Sequence, residues 1–156
     1  MTSVLAIRRA SPADTETIAV FNEAMARETE GKTLDPMTIR AGVAALLARP
    51  DLGFYLVADE DGALAGQLMI TFEWSDWRDG LFWWIQSVYV RKQRRGKGVY
   101  RALHTRVREM AREAGGVCGL RLYVERENAA AMETYRRMGM HETHYRLFEE
   151  TWEKAR

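Results

Sequence analysis

The sequence predicts a mixed α/β fold of the α+β class, in one domain that spans residues 1–156. The hydrophobic periodicity is helical over residues 12–28 and 36–48, becomes typical of strands over 54–90 with alternation from Leu64 to Trp74, and then switches between helix and strand. The chain has the length of one ordinary domain, and no linker, repeat or low-complexity segment divides it. Hydrophobic residues make up 47% and charged residues 29%, which is typical of a soluble globular protein.

The first fifty residues predict one strand followed by two helices. Val4 to Arg9 has the pattern of a short strand. Ser11-Pro12 and Asp35-Pro36 each place a capping side chain before a proline, which is the arrangement that begins a helix. The predicted helices run over residues 12–28 and 36–48, where apolar residues recur at spacings of three and four.

The middle of the chain predicts an antiparallel meander of three strands joined by polar turns. The strands are Phe54 to Ala58, Leu64 to Trp74 and Leu81 to Val90. The third is apolar on both faces, so we expect it to be central in the sheet.

The remainder predicts a β-α-β unit with parallel strands and a right-handed crossover, followed by a helix and a last strand. These elements are a helix over 98–114 that ends at Gly115-Gly116, a strand from Val117 to Val124, a short helix capped by Asn128 that ends near Met138, and a strand from Tyr145 to Phe148.

The composition argues against several classes of function. Lys and Arg number 23 against 22 Asp and Glu, and a net charge of +1 gives no long-range field to attract nucleic acid or a membrane surface. Cys118 is the single cysteine, and His104, His141 and His144 fit no metal-ligand spacing, so we predict no metal site. The sequence has neither a signal-peptide pattern nor about 20 consecutive apolar residues, which predicts a cytoplasmic protein.

A basic loop between the third meander strand and the next helix predicts an anion site. It reads Gln93-Arg94-Arg95-Gly96-Lys97-Gly98. The first N–H groups of a helix lack internal partners, and glycine lets a ligand approach the backbone closely. With three cationic side chains, the loop suits a phosphate or diphosphate. It fits neither the Walker spacing nor the three-glycine dinucleotide fingerprint, and a solvated basic turn is the alternative.

This loop and a second motif together resemble the GNAT family of N-acetyltransferases. The loop matches Q/R-x-x-G-x-G, with which that family binds CoA. Asn128, Ala131, Tyr135 and Gly139 match its downstream pattern N-x-x-A-x-x-x-Y-x-x-x-G. The resemblance implies the GNAT fold, a mixed central sheet with an antiparallel N-terminal meander, a parallel strand pair and helices on both faces. It also implies acetyl-CoA as the acyl donor.

The same resemblance implies a set of residues that bind acetyl-CoA. The end of the central strand would offer its backbone to the pantetheine arm as an added strand would. An N–H near Val88 or Tyr89 is the natural donor to the oxyanion. The complete set is Val88, Tyr89, Val90, Gln93, Arg94, Arg95, Gly96, Lys97, Gly98, Val99, Asn128 and Tyr135.

Tyr135 and Glu73 are the predicted catalytic residues. The matching tyrosine of the family lies beside the CoA sulfur, so Tyr135 would protonate the departing thiolate, with a core tyrosine as the alternative. Glu73, at the end of a strand, is the first candidate for the base and Glu125 the second. A solvated strand end is the alternative for both carboxylates.

The predicted function is transfer of an acetyl group from acetyl-CoA to a primary amine of a small molecule, which is polyamine-like, amino-acid-like or another amine. Residues 84–90 and 145–148 also resemble the diamine (spermidine/spermine) acetyltransferase branch, which carries a glutamate in place of Gln86. The alternatives are a CoA-binding sensor without turnover and a nucleic-acid-binding protein that uses Arg91 to Arg95. Four of the five tryptophans lie between Phe72 and Trp84, where they suit a cationic substrate or a homodimer interface.

Overall fold

Five strands form one mixed sheet in the computed structural model, which describes residues 4–153. The sheet has the order β1-β2-β3-β4-β5. Pairing is antiparallel from β1 to β4 and parallel between β4 and β5, which confirms the predicted meander and parallel pair. The strands are β1 (Leu5–Arg9), β2 (Gly53–Glu60), β3 (Ala63–Ser75), β4 (Gly80–Val90) and β5 (Val117–Arg121).

Four α-helices complete the fold of residues 4–153, namely α1 (Thr15–Glu30), α2 (Pro36–Leu47), α3 (Val99–Ala114) and α4 (Ala129–Arg137). Asp35 caps α2, because its carboxylate accepts the Thr38 backbone N–H at 2.9 Å. Asn128 caps α4 in the same way by accepting from the Ala131 N–H at 3.2 Å. The predicted caps at Asp35 and Asn128 are confirmed, and each satisfies an N–H that has no partner within its helix. Ser11, the third predicted cap, precedes a short 3-10 turn over Pro12–Asp14, and its side chain accepts no cap hydrogen bond. Over the described residues, none of the helices has the length and apolar character needed to cross a membrane.

Each face of the sheet is covered by its own hydrophobic cluster. Alternation along β2 sends Phe54 and Leu56 to one face and Tyr55 and Val57 to the other. The first cluster includes Leu103 and Val107 of α3, and the second includes Ile18 and Phe21 of α1 with Val43 of α2. Helices therefore lie on both faces, as the fold class predicts.

A bulge interrupts β4 near its end. Tyr89 pairs with Gln67 of β3, whereas Gln86 pairs with Met69, so β4 carries one additional residue between these pairs. Ser87 lies there with φ of +51°, a left-handed backbone conformation that is uncommon outside glycine. Gln67, fully buried, donates from Nε2 to the Ser87 carbonyl at 3.1 Å and so supports the bulge.

Beyond the bulge, β4 and β5 separate. Their pairing ends at Trp84 and Arg121, so residues 85–90 of β4 have no strand partner on that side within the described part of the chain. The predicted strand from Val117 to Val124 accordingly ends at Arg121, since a strand without a neighbour loses its ladder hydrogen bonds. The separation opens the sheet between β4 and β5, its parallel pair.

The predicted last strand, Tyr145 to Phe148, is wrong. Residues 141–153 contain neither helix nor strand. The side chains of Tyr145, Leu147 and Phe148 are 75%, 67% and 93% exposed, so no hydrophobic face holds this segment against the sheet. The alternation of apolar residues alone does not make a strand here, because none of the five strands pairs with this segment.

Candidate active site

A groove of about 990 Å³ lies where β4 and β5 separate. Its walls come from the end of β4, the loop before α3, the first turn of α3, one face of α4 and the last turns of α1. The structure brings together most of the residues predicted to bind acetyl-CoA, namely Val88, Tyr89, Val90, Arg94, Arg95, Gly96, Gly98, Val99, Asn128 and Tyr135. Gln93 and Lys97 belong to the same loop but do not line the groove.

The N-terminus of α3 faces this groove without a side-chain cap. Gly98 occupies the cap position with φ of +82°, and Gly96 has φ of +73°. Both backbone conformations favour glycine, and a Cβ at either position would meet no protein atom within 4 Å. The first hydrogen bond of the helix runs from Ala102 N–H to the Gly98 carbonyl. The N–H groups of residues 99–101 are therefore available to an anion.

The two arginines of the loop are held by carboxylates on neighbouring elements. Arg94 forms an ion pair with Glu60 at the end of β2. Arg95 donates to Glu28 of α1 at 2.7 Å and to the Val90 carbonyl at 2.8 Å. The hydrogen bond from Arg95 holds the pKa of Glu28 below its usual range. In this arrangement Arg94 and Arg95 fix the loop, and the backbone N–H groups at the start of α3 remain available as donors at the groove, beside the exposed Arg101.

The free edge of β4 forms the floor of the groove. Val88, Tyr89 and Val90 all line it and belong to the stretch that no strand covers. The Tyr89 side chain turns towards α1, where its ring lies 5.0 Å from that of Phe21 and its hydroxyl is 3.4 Å from Glu28. Its backbone is thus the part that remains for a ligand, and an extended ligand can pair with β4 as a strand does.

Tyr135 projects from α4 into the groove and packs against α3. Its ring centroid lies 5.6 Å from that of Tyr100, with the rings nearly perpendicular at 71°. Burial raises the pKa of Tyr135 above its ordinary value of 10, which keeps the phenol protonated near neutral pH. The side chain is therefore a proton donor beside the floor of the groove. Asn128, at the start of the same helix, lines the groove while it caps α4.

Glu73 lies in a second, separate hollow of about 400 Å³. It pairs in register with Phe82 of β4, six residues before Val88, which corresponds to roughly 20 Å along the strand. Its carboxylate accepts from the Arg121 guanidinium at 2.5 Å. The structure therefore does not bring Glu73 together with Tyr135. Glu125, the second candidate for the base, does line the main groove.

The tryptophan-rich segment divides between core and surface. Trp83 is buried, whereas Trp74 and Trp77 are 60% and 86% exposed and line the second hollow. Gln86 donates to the Thr71 hydroxyl at 3.2 Å and so is tied to the adjacent strand. Among the residues that the structure describes, no group of three His, Cys, Asp or Glu side chains is placed to hold a metal ion.

Several residues that line the groove were not among the predicted site residues, including Arg101 of α3 and Thr134 and Arg137 of α4. Met25, Glu28 and Thr29 of α1 line it, and no motif marks them. Tyr100 of α3 lines it as well. Its spacing of four residues from His104 places both on one helix face, a signal that the sequence does contain.

Comparison with known proteins matches this arrangement to one family. Residues 17–140 match the acetyltransferase (GNAT) family. The structure is similar to that of a possible acetyltransferase from Clostridium difficile 630, with 42% sequence identity, a TM-score of 0.89, and coverage of 97% of this chain and 99% of the other. The comparison with curated proteins gives no match.

More distant structures share the fold. An aminoglycoside N-acetyltransferase in complex with CoA has 16% identity and a TM-score of 0.78, over 97% of both chains. A predicted acetyltransferase from Clostridium acetobutylicum with acetyl-CoA has 17% identity and a TM-score of 0.76, over 94% of this chain and 96% of the other. From the family match over most of its length and the 42% identical structure, we conclude that this chain belongs to the acetyltransferase (GNAT) family and is an acyltransferase.

Proposed function

We propose that the protein transfers an acetyl group from acetyl-CoA to a primary amine of a small molecule by direct attack, with Tyr135 as the general acid. One observation supports this most strongly: the uncapped N-terminus of α3, the free edge of β4 and the Tyr135 side chain all line a single groove. Each of the three suits a different part of an acyl-CoA molecule. The aminoglycoside N-acetyltransferase with CoA and the Clostridium acetobutylicum protein with acetyl-CoA share the fold of this chain.

The donor is assigned to the groove by its charges and its shape. The diphosphate would accept hydrogen bonds from the open N–H groups at the start of α3. The pantetheine arm would run along residues 88–90 of β4 and use the backbone groups that β5 leaves free. The thioester carbonyl would then lie near the N–H of Val88 or Tyr89, which would stabilise the oxyanion as it forms.

The chemistry forms one C–N bond and breaks one C–S bond. The neutral amine attacks the thioester carbonyl carbon, and the tetrahedral intermediate collapses to an amide with departure of the CoA thiolate. Tyr135 donates its proton to that sulfur, the amine gives up one proton to a base, and exchange with solvent reprotonates Tyr135 and deprotonates the base before the next turnover. Of the candidate bases, Glu125 is the one that lines this groove, so we assign it the amine proton, directly or through water.

Met25, Glu28 and Thr29 of α1 line the groove beside the loop before α3, since Glu28 pairs with Arg95 of that loop. This wall therefore belongs to the diphosphate end of the proposed acyl-CoA site. The amine would reach the thioester near Tyr135 and Glu125, the two residues assigned to the proton transfers.

Binding and turnover test separate parts of this proposal. Thermal unfolding with CoA, acetyl-CoA and a short oligonucleotide should show stabilisation by the two CoA species only. A thiol-release assay across a panel of amines should then identify acceptors. If CoA binds but no amine supports thiol release, the protein is a CoA-binding sensor. Stabilisation by the oligonucleotide alone would contradict the site assignment.

A substitution at Tyr135 tests the acid. Tyr135→Phe should lower kcat by about a hundredfold or more while acetyl-CoA binding changes little, because only the transferable proton is lost. Tyr55→Phe is the matched control, since it removes a buried hydroxyl outside the groove. Turnover of Tyr135→Phe equal to that of the control would reject the acid role.

A further inference from the structure

A series of polar contacts centred on the buried His104 runs along the face of α3 that carries Tyr100 and Arg108. His104 is fully buried, with Nδ1 2.9 Å from the Tyr100 hydroxyl and Nε2 3.2 Å from Nη2 of Arg108. The same Arg108 nitrogen donates to the Met138 carbonyl at the end of α4. These residues lie one turn apart on α3, so Tyr100, His104 and Arg108 share one face of the helix.

The donors and acceptors among Tyr100, His104 and Arg108 follow from the chemistry of the guanidinium group. A guanidinium only donates, so His104 must accept from Arg108 at Nε2. A neutral imidazole then carries its proton on Nδ1 and donates it to the Tyr100 oxygen. Burial lowers the pKa of His104 to about 4, which keeps the ring neutral at physiological pH. The Tyr100 oxygen therefore accepts the hydrogen bond from His104, and the hydroxyl proton of Tyr100 is not donated to His104.

Tyr100, whose hydroxyl proton is not donated to His104, also lines the groove. Tyr100 borders the groove beside Tyr135, and the edge-to-face contact of the two rings fixes their mutual orientation. Arg108 holds the same C-terminal end of α4 through the Met138 carbonyl, three residues after Tyr135. The helix that carries Tyr135 is thus held against α3 at two points, and both connect to His104.

We propose that Tyr100, His104 and Arg108 position Tyr135 for proton donation to the departing thiolate. Arg108 selects the His104 tautomer, His104 orients the Tyr100 hydroxyl, and Tyr100 holds the Tyr135 ring at the floor of the groove. These three are positioning residues and transfer no proton to substrate. The inference rests on the proposed acid role of Tyr135 and assigns its geometry to a network on the neighbouring helix.

Tyr100→Phe is the decisive variant because it keeps the aromatic ring and removes only the hydroxyl. We expect kcat for thiol release to fall about tenfold, with KM for acetyl-CoA within about twofold of the original value. In Tyr135→Phe there is no acid left to position. Adding Tyr100→Phe to Tyr135→Phe should therefore cause no further loss.

A pair of substitutions at His104 tests the tautomer assignment. His104→Asn retains an N–H donor close to the position of Nδ1, whereas His104→Leu removes it. Turnover should be higher in His104→Asn than in His104→Leu. Thermal unfolding and CoA binding of each variant show which of them fold, and Tyr55→Phe again serves as the control for loss of a buried hydroxyl.

The outcomes separate this inference from the proposed function. If Tyr135→Phe is slow but Tyr100→Phe turns over like the control, the network does not position Tyr135 and the acid role stands. If the losses of Tyr100→Phe and Tyr135→Phe multiply in the double variant, Tyr100 acts independently of Tyr135 and the inference is overturned. If Tyr135→Phe itself keeps full turnover, the acid role and the network fail together.

Discussion

The guanidinium of Arg95 lies 2.7 Å from a carboxylate oxygen of Glu28, which joins the loop before α3 to the last turn of α1. Lys92 reaches the same carboxylate at 3.8 Å. Glu28 therefore pairs with both Arg95 and Lys92 of the segment before α3. Glu28 also lines the groove. A bound diphosphate would compete with Glu28 for Arg95, since both are anions within reach of one guanidinium.

Removal of the Glu28 charge should therefore strengthen CoA binding. Glu28→Gln keeps a hydrogen-bond acceptor but frees Arg95 from a charged partner. We expect CoA affinity to rise about two- to fivefold at low salt, the size of a partly exposed ion pair, and the gain to shrink at high salt. Isothermal titration calorimetry with CoA at low and high salt measures this change in affinity. Glu16→Gln is the matched control, because Glu16 is on the same helix and pairs with Arg40 of α2. Unchanged or weaker binding by Glu28→Gln would show that the ion pair supports the loop more than it competes for Arg95.

The positive φ of Gly98 predicts a separation of stability from binding. Gly98→Ala places a Cβ on a left-handed residue and should cost roughly 1–2 kcal/mol of unfolding free energy. It should also weaken CoA binding at least about tenfold, since the shifted backbone no longer presents the N–H groups of α3. Gly62→Ala provides the control, because Gly62 has φ of +90° in the β2–β3 turn and is equally open. We expect a similar loss of stability there with CoA affinity intact. Equal affinities in both variants would rule out the α3 N-terminus as the anion site.

The β4 bulge predicts opposite outcomes for two substitutions at Ser87. Ser87→Gly accepts the left-handed backbone readily, so unfolding free energy and CoA affinity should stay close to their original values. Ser87→Val introduces a β-branched side chain that disfavours this conformation and should cost about 1–3 kcal/mol. If the bulge is then lost, β4 and β5 stay closer and CoA binding falls. Chemical unfolding and calorimetry on the pair test this, and equal behaviour of the two variants would mean that the bulge does not depend on the residue-87 backbone.

Much of this architecture could be predicted from local sequence signals. Asp35-Pro36 and Asn128 mark helix starts because a cap is a contact over three residues, and the structure confirms both. The alternation from Leu64 to Trp74 predicted β3 because burial of one strand face has a period of two. Tyr145 to Phe148 has a similar pattern but forms no strand. A strand also needs a second strand with which to hydrogen-bond, and the sequence of a short segment does not show whether one lies beside it.

The contacts between distant segments could not be predicted in this way. Glu28 and Arg95 are 67 residues apart, and neither belongs to a motif that names the other. Whether Glu73 lies in the groove or outside it is likewise a question of how distant segments pair. The sequence predicts that Glu73 ends a strand, but the distance from Glu73 to Tyr135 is set by the β3–β4 register.

The buried His104 predicts an acid-sensitive contribution to stability. Its pKa is about 4 in the folded protein and ordinarily 6.5, so below pH 6.5 the unfolded chain binds a proton that the folded chain excludes. The contribution is thus complete above pH 6.5 and is lost as the pH falls towards 4. For this group alone, the loss between pH 7 and pH 5 is roughly 2 kcal/mol. Urea unfolding at both pH values should show a smaller pH dependence in His104→Asn than in the original protein. His144→Asn, an exposed histidine, is the control, and equal pH dependence in all three proteins would contradict the assignment.

The separation of Glu73 from the groove predicts which carboxylate matters for turnover. Glu73 pairs with Arg121 in the second hollow, whereas Glu125 lines the groove with Tyr135. Glu73→Gln should therefore leave kcat within about twofold, because a side chain roughly 20 Å along β4 from Val88 cannot accept the amine proton directly. Glu125→Gln should lower kcat about tenfold or more near neutral pH and less at high pH, where more of the amine is already neutral. Steady-state kinetics of the two variants from pH 7 to pH 9 compare them directly. A large loss in Glu73→Gln with normal turnover in Glu125→Gln would transfer the base to the second hollow and would require the acceptor to bridge the two sites.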